Sequence, residues 1–497
     1  MVDFQRPFRP AKARQSGFGR LPTILGEAMV ATSHPLATRA GVRALDRGGN
    51  AVDAALAAAA MLCVAEPGHT GIGGDLFAQV WHDGKLHGLN GSGRSPGELP
   101  ELVVDEFGPR SVTVPGAVRA WFDLSERFGS LGLDVLLADA IDAAERGIAA
   151  TARVAHSWRR AQERAPGPAP LAGERYRLPE LAATLRRIAQ EGPGAFYEGE
   201  VAAAIAGASW LAESDLASHV SVWVEPLRRD FRGLTVCELP PNGQGAAALI
   251  GLGLLDGLPD TLHSRIEATK LALADAYRHI ADAPLPAYLV DEAHLAERRA
   301  LVSPDRALDP GPSRDPRGGT TYLCAVDGDR TAVSLIQSTY YHFGSGVLAG
   351  GTGVMLQNRG ACFVEEEGHP NRIAPGKRSY HTIIPGMLLR DGALAGPFGI
   401  MGGAMQAQAH LQVAHRLAEG WDPQAALDAP RFRVEQGREV VVEPGLTAEV
   451  DHLRTLGHEV SVDVDPGGFG VGQAILTLGE SLVGGSDGRG DGHAAGF

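Results

Sequence analysis

Residues 316–338, PRGGTTYLCAVDGDRTAVSLIQS, combine residue types that could cleave the chain's own backbone. Gly318 and Gly319 lead directly into Thr320 and Thr321, at the head of an expected β-hairpin. Such an order often means only that glycine ends a loop and that β-branched threonine begins a strand. The chemical alternative is that the Thr320 hydroxyl attacks the Gly319 carbonyl, which turns the peptide bond into an ester that water can hydrolyse.

Cleavage at this bond would create a new chain that begins with Thr320 and carries a hydroxyl nucleophile beside its own α-amine. The amine, with an ordinary pKa of about 7.7–8.0, can act as the base that activates the hydroxyl. Glycine before the bond permits strained backbone angles and leaves the carbonyl accessible. Gly402 and Gly403, in GIMGGAM at the end of a predicted strand, offer two consecutive N–H groups for an oxyanion hole. Taken alone, that glycine pair would be interpreted as a tight turn.

Competing catalytic and cofactor motifs are missing or incomplete. The sequence has no G-x-S-x-G and no H-E-x-x-H, and GLGLLDG at 251–257 has Asp256 where a dinucleotide fingerprint needs its third glycine. The tail DGRGDG lacks the acidic twelfth residue of a calcium loop. We therefore predict neither a metal nor a cofactor. The four cysteines are widely spaced and are expected to be buried or half-buried thiols: Cys63, Cys237, Cys324 and Cys362.

Composition narrows the class of partner. The chain has 497 residues and a net charge of -14, which argues against nucleic acid and anionic membranes, because both favour a basic face. The basic N-terminal stretch has no apolar segment behind it, and AVDAALAAAAMLCVAEPG is too short to span a bilayer. We expect a cytoplasmic protein that acts on a small molecule, and a higher oligomer stays open.

Helix and strand signals alternate along the chain. Residues 34–47 and 51–64 have helical spacing, and Asn50 can cap the second helix. EPGHTGIGGD at 66–75 is a glycine-rich turn too irregular for either element, and residues 117–295 are mostly helical by period. Hairpins are expected at three Asp-Gly pairs: Asp83-Gly84, Asp327-Gly328 and Asp391-Gly392.

Strands near both ends of the chain, with helices between them, favour a single α+β unit in which distant strands share sheets. Residues 303–319, rich in Pro, Gly and charge, are expected to be exposed and mobile, and they end at the glycine before Thr320.

Eight blocks in this order resemble the γ-glutamyltransferase (glutathione hydrolase) family of N-terminal-nucleophile hydrolases. They are GNAVDAALAAAAMLCVAEPGHTGIGGD (49–75), SVTVPGAVRAW (111–121), VEPLRRDFRG (224–233), ELPPNGQG (238–245), TTYLCAVDGDRTAVSLIQS (320–338), FGSGV (343–347), GTGVMLQNR (351–359) and GIMGGAMQAQAH (399–410). The resemblance implies a four-layer αββα N-terminal-nucleophile hydrolase fold. It also implies self-cleavage into fragments 1–319 and 320–497, which pair as a heterodimer.

The resemblance implies roles for individual residues. Thr320 matches the nucleophile, Ser338 a second hydroxyl residue that hydrogen-bonds it, and Gly402 and Gly403 the oxyanion donors. The γ-glutamyl receptor is not retained. Family members that process glutathione hold this group with an Arg, an Asn, an Asp and a Ser-Ser pair. The corresponding positions here are Ser92 (with Arg94 two residues on), Tyr340, Cys362 and His381-Thr382.

The departure at Cys362 affects substrate choice most, because a mostly neutral thiol cannot replace the carboxylate that pairs with the substrate ammonium. Losing such a partner costs about 2–5 kcal/mol. The loop from Phe363 to Lys377 is also short, which suggests that a lid over the acyl pocket is missing. The pattern resembles a divergent branch that contains oxamate amidohydrolase and glutathione-hydrolase-like proenzymes and has also been compared with cephalosporin acylases.

We therefore expect a self-processing threonine amidohydrolase that hydrolyses a small amide with an anionic acyl group. Arg94, His381 and Arg359 could supply positive charge or hydrogen-bond donors, although Arg359 could equally form a structural ion pair and His381 could be a satisfied strand residue. Two alternatives stay open. One is a glutathione hydrolase or γ-glutamyl transpeptidase with a rearranged pocket, and the other is a catalytically silent proenzyme that serves as a structural or binding subunit.

Overall fold

Two seven-stranded sheets lie face to face at the centre of the computed structural model, which describes residues 20–313 and 318–497. The strands, numbered in chain order, are β1 (Thr23–Leu25), β2 (Met29–Thr32), β3 (Asp75–His82), β4 (Lys85–Asn90), β5 (Ile148–Ala149), β6 (Arg175–Tyr176), β7 (Val222–Val224), β8 (Leu227–Phe231), β9 (Leu234–Glu238), β10 (Gly319–Val326), β11 (Ala332–Tyr340), β12 (Leu348–Ala349), β13 (Val354–Met355), β14 (Gly386–Arg390), β15 (Ala393–Met401), β16 (Phe432–Val434), β17 (Glu439–Val442), β18 (Glu459–Val462), β19 (Val471–Leu478), β20 (Ser481–Ser486) and β21 (His493–Gly496). One sheet has the order β1-β20-β19-β15-β14-β9-β8, and the other β21-β2-β10-β11-β3-β4-β7.

Helices form the outer layers. In chain order they are α1 (Pro35–Asp46), α2 (Ala51–Ala65), α3 (Ala117–Phe128), α4 (Leu133–Arg146), α5 (Ala152–Arg160), α6 (Pro179–Glu191), α7 (Gly194–Tyr197), α8 (Gly199–Ala208), α9 (Glu213–Ala217), α10 (Gly245–Leu255), α11 (Leu262–His279), α12 (Glu292–Arg299), α13 (Met405–Ala418), α14 (Pro423–Asp428) and α15 (Val450–Thr455). Side chains of α1, α2 and α3 pack on β10 and β11, and side chains of α10, α11 and α13 pack on β14 and β15. Between the sheets, apolar residues of both inner faces form a third cluster. The predicted αββα layering is therefore confirmed.

Local sequence signals explain the elements nearest the site. Helix α2 starts at a capping box, because Asn50 Oδ1 accepts from the Val52 and Asp53 amides while the Asp53 carboxylate accepts from the Asn50 amide. All fifteen of its residues are buried, which explains the unbroken Ala-rich sequence. The predicted helices at 34–47 and 51–64 are confirmed to within a residue.

The three predicted hairpins are present, in two forms. Asp83-Gly84 and Asp391-Gly392 are two-residue turns in which both residues have φ between 49° and 78°, as expected of Asp-Gly in a tight hairpin. The turn after Asp327 is longer than the pair suggests: β10 ends at Val326, β11 begins at Ala332, and Arg330 takes the positive φ of 63°. The Asp327 side chain holds this loop by accepting from the Asp329 and Thr331 amides.

One expectation is confirmed with an addition, and one needs correction. The region 117–295 is mostly helical, as predicted, and also contains short strands: β7 pairs with β4, β8 with β9, and β9 with β14. The stretch from residue 303 is less exposed than its composition suggests. Ala307 is buried, and Leu308 bonds through its N–H to Glu267 and through its carbonyl to Lys270. Residues 314–317 lie outside the described part of the chain.

Among the described residues, no helix combines the length and the apolar character needed to cross a bilayer. The four cysteines are buried free thiols, as expected from their spacing.

Candidate active site

Thr320 lies in an irregularity of the sheet. Gly319 pairs with Tyr340 and Thr321 pairs with Gln337, so the β10–β11 register shifts across Thr320. One residue of β10, Thr320, lies opposite two residues of β11, Ser338 and Thr339, so the extra residue of this bulge is in β11. The Thr320 hydroxyl oxygen lies 2.6 Å from the Gly319 carbonyl oxygen and 3.2 Å from the Ser338 hydroxyl oxygen.

Ser338 polarises the Gly319–Thr320 peptide bond. Its oxygen accepts from the Tyr340 amide and from Arg359 Nη2, both at 2.8 Å, and its hydroxyl donates to the Gly319 carbonyl at 2.8 Å. Two N–H donors on one oxygen make its own proton a stronger donor. The carbonyl that Thr320 would attack is thus held by a hydroxyl able to stabilise negative charge.

The two glycines before Thr320 occupy a space that excludes side chains. A Cβ on Gly318 would lie 2.9 Å from the Gly403 Cα, and a Cβ on Gly319 would lie 3.3 Å from the His342 amide nitrogen. Both contacts are tighter than side-chain carbons normally make, so larger residues would push this segment away from Gly403 and Ser338.

Gly402 and Gly403 lie between β15 and α13 with φ of 130° and 59°, a conformation that favours glycine. Their carbonyls accept from the Met405 and Gln406 amides at the start of α13. In the part of the chain that the structure describes, neither glycine N–H has a hydrogen-bond acceptor. As far as the described residues go, the pair therefore offers two donors at a helix N-terminus, where the helix dipole favours negative charge.

Gln406, on the first turn of α13, was not anticipated from the sequence. Its Nε2 lies 3.4 Å from the Thr320 hydroxyl oxygen, while its Oε1 accepts from the Ile384 amide. No motif marks this glutamine, because only the packing of α13 beside β10 brings it to Thr320.

Arg359 is completely buried next to this group. Its Nη2 donates to Ser338 and its Nη1 donates to the Thr382 hydroxyl, both at 2.8 Å, and its guanidinium lies 4.5 Å from the centre of the Tyr340 ring. Tyr340 itself has a positive φ of 77°, which is strained for a non-glycine residue. Among the described residues, no carboxylate forms an ion pair with Arg359. A buried guanidinium with neutral partners is a site that an anion can complete.

His381 is held in place rather than directed at Thr320. Its Nε2 donates to Asp75 at 3.0 Å, and its Nδ1 accepts from the Ile383 amide at 3.3 Å. Burial, assisted by Arg359, lowers the pKa of His381 to about 4, so the ring is neutral at pH 7. Both ring nitrogens are used within the protein, which leaves His381 without the free donor that the sequence suggested.

Arg94 and Cys362 do not contact the nucleophile in the structure. Arg94 is half-exposed and pairs with Asp282 at 3.0 Å, while its Nη1 also donates to the Gly376 carbonyl. Cys362 is buried and is the last residue of the 3-10 turn Arg359–Cys362, of which Arg359 is the first. The structure therefore joins Thr320, Ser338, Tyr340, Arg359 and Thr382, and it leaves Arg94 outside.

A cleft of about 420 Å³ borders Thr320. Gly318, Gly319, Thr320 and Gly402 are among its lining residues. Its walls carry histidines, arginines and acids: His69, His156, His342, Arg153, Arg160, Arg164, Arg433, Glu106, Asp463 and Asp465. A substrate entering here would meet the Thr320 hydroxyl and the free Gly402 amide together.

In the described ranges 20–313 and 318–497, two groups of potential metal ligands lie away from this cleft: His263, Glu267 and His458, and Asp260, His415 and Glu419. In the first group the Lys270 ammonium already lies 3.0 Å from Glu267 Oε1 and 3.2 Å from His458 Nδ1. That ammonium supplies the positive charge a cation would bring.

Comparison with known proteins agrees with this geometry. Residues 37–497 match the Gamma-glutamyltranspeptidase family. The chain is 35% identical to the glutathione hydrolase-like YwrD proenzyme of Bacillus subtilis (strain 168), over 94% of this chain and 98% of that protein. It is 34% identical to the oxamate amidohydrolase proenzyme of Klebsiella pneumoniae, with the same coverage of 94% and 98%. It superposes on cephalosporin acylase from Bacillus halodurans with a TM-score of 0.91 and 40% identity, covering 99% of both chains.

The chain, with its αββα layers and its threonine at the head of a central strand, belongs to the γ-glutamyltranspeptidase family of N-terminal-nucleophile hydrolases.

Proposed function

We propose that the protein is a self-processing threonine amidohydrolase that hydrolyses small amides whose acyl group ends in a carboxylate. The observation that carries this proposal is the buried Arg359 guanidinium, which among the described residues contacts hydroxyls and an aromatic ring and lies two hydrogen bonds from the Thr320 hydroxyl. An acyl carboxylate would give this charge its missing partner while the amide carbonyl reaches Thr320.

Maturation begins at the Gly319–Thr320 bond. The Thr320 oxygen forms a bond to the Gly319 carbonyl carbon, the C–N bond breaks, and the nitrogen takes up a proton to become the α-amine of a new N-terminus. Water then hydrolyses the ester, which releases Gly319 as a free carboxylate. The contact of Ser338 with the Gly319 carbonyl supports this step.

The fragments 1–319 and 320–497 are proposed to stay together as a heterodimer. Both sheets contain strands from each fragment: β10 pairs with β2, β11 with β3, and β14 with β9. Separating the fragments would expose the apolar faces of both sheets to water. The cytoplasmic location and any higher oligomer stay predictions from the sequence.

In the mature enzyme the Thr320 α-amine takes the proton of its own hydroxyl as the oxygen attacks the substrate carbonyl. The oxyanion is held by the Gly402 and Gly403 amides, whose donors are free in the described residues. Collapse of the tetrahedral intermediate expels the leaving amine into the cleft and leaves an acyl ester on Thr320, which water hydrolyses. The names of the relatives, a glutathione hydrolase-like proenzyme, an oxamate amidohydrolase and a cephalosporin acylase, fit hydrolysis of amides.

The acyl group is proposed to be short and to lack an ammonium. Arg359 and Thr320 are separated by Ser338 alone, so a dicarboxylic acid monoamide of a few carbons would span the distance. The position that carries a carboxylate for the γ-glutamyl ammonium in the family is Cys362, a neutral thiol. Arg94, which the structure leaves outside the group, has no part in this proposal.

Two measurements test the proposal. Mass spectrometry should find fragments 1–319 and 320–497 in the purified wild type and one uncut, inactive chain in Thr320→Ala. A panel of oxamate, malonamate, succinamate and glutaramate, with glutathione and butyramide for comparison, should show highest kcat/KM for a monoamide with a carboxylate.

The outcomes separate the alternatives. An intact wild-type chain without activity on any amide would favour a silent proenzyme with a structural role. A processed enzyme that prefers glutathione would favour the rearranged γ-glutamyl hydrolase, and full amidase activity in an intact wild-type chain would exclude Thr320 as the nucleophile.

A further inference from the structure

Three ionisable side chains form a hydrogen-bonded row that ends in the cleft beside Thr320. The Glu66 carboxylate lies 2.9 Å from His69 Nδ1, and His69 Nε2 lies 3.0 Å from His342 Nε2. Glu66 is the C-cap residue of α2 and His69 follows it in the glycine-rich turn 66–75, whereas His342 comes just after β11. The roles proposed above for Thr320, Ser338, Arg359 and the glycine amides leave this row without a function.

The protons of the row are assigned outward from Glu66, with His69 neutral. Burial favours the neutral acid, but the hydrogen bond that His69 donates outweighs it and lowers the pKa of Glu66. An ionised carboxylate only accepts, so His69 carries its proton on Nδ1 and, in its neutral form, presents an unprotonated Nε2. His342 must then donate from its own Nε2, which leaves its Nδ1 with a free lone pair.

His342 lies beside the scissile bond. Its backbone amide nitrogen would be 3.3 Å from a Cβ on Gly319. His69, His342 and Thr320 line the same cleft, and the described residues give His342 Nδ1 no hydrogen-bond partner. A water between this nitrogen and an ester on Thr320 would occupy the cleft itself.

We infer that His342 is the general base for the water that hydrolyses acyl-Thr320, with His69 and Glu66 as positioning residues; this inference rests on the proposed function. The water proton moves to His342 Nδ1 as the water oxygen bonds to the ester carbon. The C–Oγ1 bond then breaks, and Thr320 Oγ1 takes the proton back from the imidazolium. Glu66 stabilises the transient imidazolium through His69, and the amine of Thr320 is left to serve acylation.

The electrostatic surroundings are compatible with a neutral resting base. Burial, assisted by the nearby arginines, holds the pKa of His342 well below its ordinary value, so the ring is unprotonated at pH 7. The charged and titratable groups around the row are Glu66, His69 and His34 on the α2 side, Arg153, Arg160 and Arg164 on and after α5, and Glu106, Asp463 and Asp465 on the cleft wall.

The test separates acylation from deacylation with an activated ester, the mono-p-nitrophenyl ester of glutaric acid. General-base catalysis contributes about 10²- to 10⁴-fold. His342→Gln should keep a nitrophenol burst close to one per active site at nearly the wild-type burst rate, while its steady-state kcat falls about 100-fold. Mass spectrometry should then find the glutaryl adduct on fragment 320–497. Hydroxylamine, which needs less help from a base than water does, should restore turnover.

Glu66→Gln should lower the same kcat by a smaller factor without changing the burst. The matched control is His156→Gln, which removes another imidazole from the cleft wall outside the hydrogen-bonded row and should change burst and steady state by the same factor. Wild-type deacylation in His342→Gln, or loss of the burst together with the steady state, would overturn the assignment of the base. A processed wild type that forms no acyl-Thr320 would instead overturn the proposed function.

Discussion

Arg359 and Arg431 are both completely buried, yet their surroundings are opposite. Arg431 pairs with the Asp487 carboxylate at 2.6 Å, and its guanidinium also donates to the carbonyls of Leu427, Phe469 and Gly470 at 2.9 Å. Within residues 20–313 and 318–497, the hydrogen-bond acceptors of Arg359 are two hydroxyls. Among the other buried arginines, Arg378 and Arg416 bond to carbonyl oxygens.

The difference indicates what each arginine is for. A buried charge is expensive unless it is paired, so a site with a carboxylate and three carbonyls is complete in itself. A site with hydroxyls alone gains much more from an incoming anion. We therefore interpret the Arg431 region as structural and the Arg359 region as a substrate site. The following experiments test that distinction.

The largest contrast should come from the paired variants Arg359→Met and Arg431→Met. Arg359→Met should lower kcat/KM for carboxylate-bearing amides by the 2–5 kcal/mol of a buried charge partner, roughly 30- to 4,000-fold, with little loss of stability. Arg431→Met leaves Asp487 less well paired and should lower the free energy of unfolding by about 3–5 kcal/mol, with activity retained in the folded fraction. Steady-state kinetics on processed protein measure the change in kcat/KM, and urea unfolding measures the change in stability. Equal stability losses in the two variants would contradict the comparison.

Gly403→Val tests whether the Arg359 effect is selective. A β-branched residue cannot easily adopt φ of 59°, so the 402–403 amides should turn away from the oxyanion position. Loss of one donor lowers kcat by about 10²- to 10³-fold. The loss should be equal for charged and neutral acyl groups, whereas Arg359→Met should spare a neutral butyryl anilide. Near wild-type activity in correctly processed Gly403→Val would place the oxyanion hole elsewhere.

Product binding should stabilise one region and not the other. A dicarboxylate product present at about 100 times its Kd should add about 2.7 kcal/mol to the free energy of unfolding of the mature enzyme. The gain should vanish in Arg359→Met and persist in Arg431→Met. Thermal unfolding in the presence of glutarate measures this gain in stability, and butyrate, an anion of single charge, is the control.

Cys362→Asp should make the Arg359 region resemble the Arg431 region. The new carboxylate lies within the same 3-10 turn as Arg359 and can pair either with it or with a substrate ammonium. We expect the preference for glutaryl over γ-glutamyl anilide to shrink by about tenfold, part of the 2–5 kcal/mol that a charge partner carries. Cys362→Ser, which adds no charge, is the control, and a wild type that already prefers the γ-glutamyl anilide would contradict our account of the pocket.

The smallest effect is on the pH dependence of stability. Burial opposes ionisation of Asp487, but Arg431 and Arg489 outweigh burial and hold the pKa of Asp487 below its ordinary value. A carboxyl group with a depressed folded-state pKa contributes stability above its unfolded value of about 3.9 and loses that contribution as pH falls through the folded pKa. Below about pH 4, wild type and Arg359→Met should therefore lose stability in parallel, while Arg431→Met should show a shallower fall. Identical slopes in all three proteins would contradict the assignment.

Part of the site was predictable because its signals are local. Gly319 before Thr320, the free amides of the Gly402-Gly403 turn and the capping residue Asn50 depend on backbone freedom and on neighbours within a few residues. The family resemblance also indicated Ser338 and the loss of the γ-glutamyl receptor at Cys362. Their catalytic roles stay predictions until the variants are measured.

Other residues could not be ranked from the sequence. The sequence does not distinguish Arg94 from Arg359 as a cation for substrate binding. In the structure, Arg94 lies at the surface with Asp282, whereas Arg359 is buried beside Ser338. Gln406 and His342 carry no recognisable motif. Their proximity to Thr320 or Gly319 depends on where α13 and the end of β11 pack.

The sequence by itself determined an α+β unit, the two tight Asp-Gly hairpins and a threonine directly after a glycine pair, and its family resemblance implied the αββα layering. Only the tertiary structure decided which polar groups meet: His381 with Asp75, 306 residues away, and His69 with His342, 273 residues away. The physical reason is register. Side chains alternate between the faces of a strand, so a shift of one residue in β3 would send Asp75 to the other face, away from His381. His69 and His342 lie in loops, and their meeting depends on where the turn after α2 and the end of β11 pack.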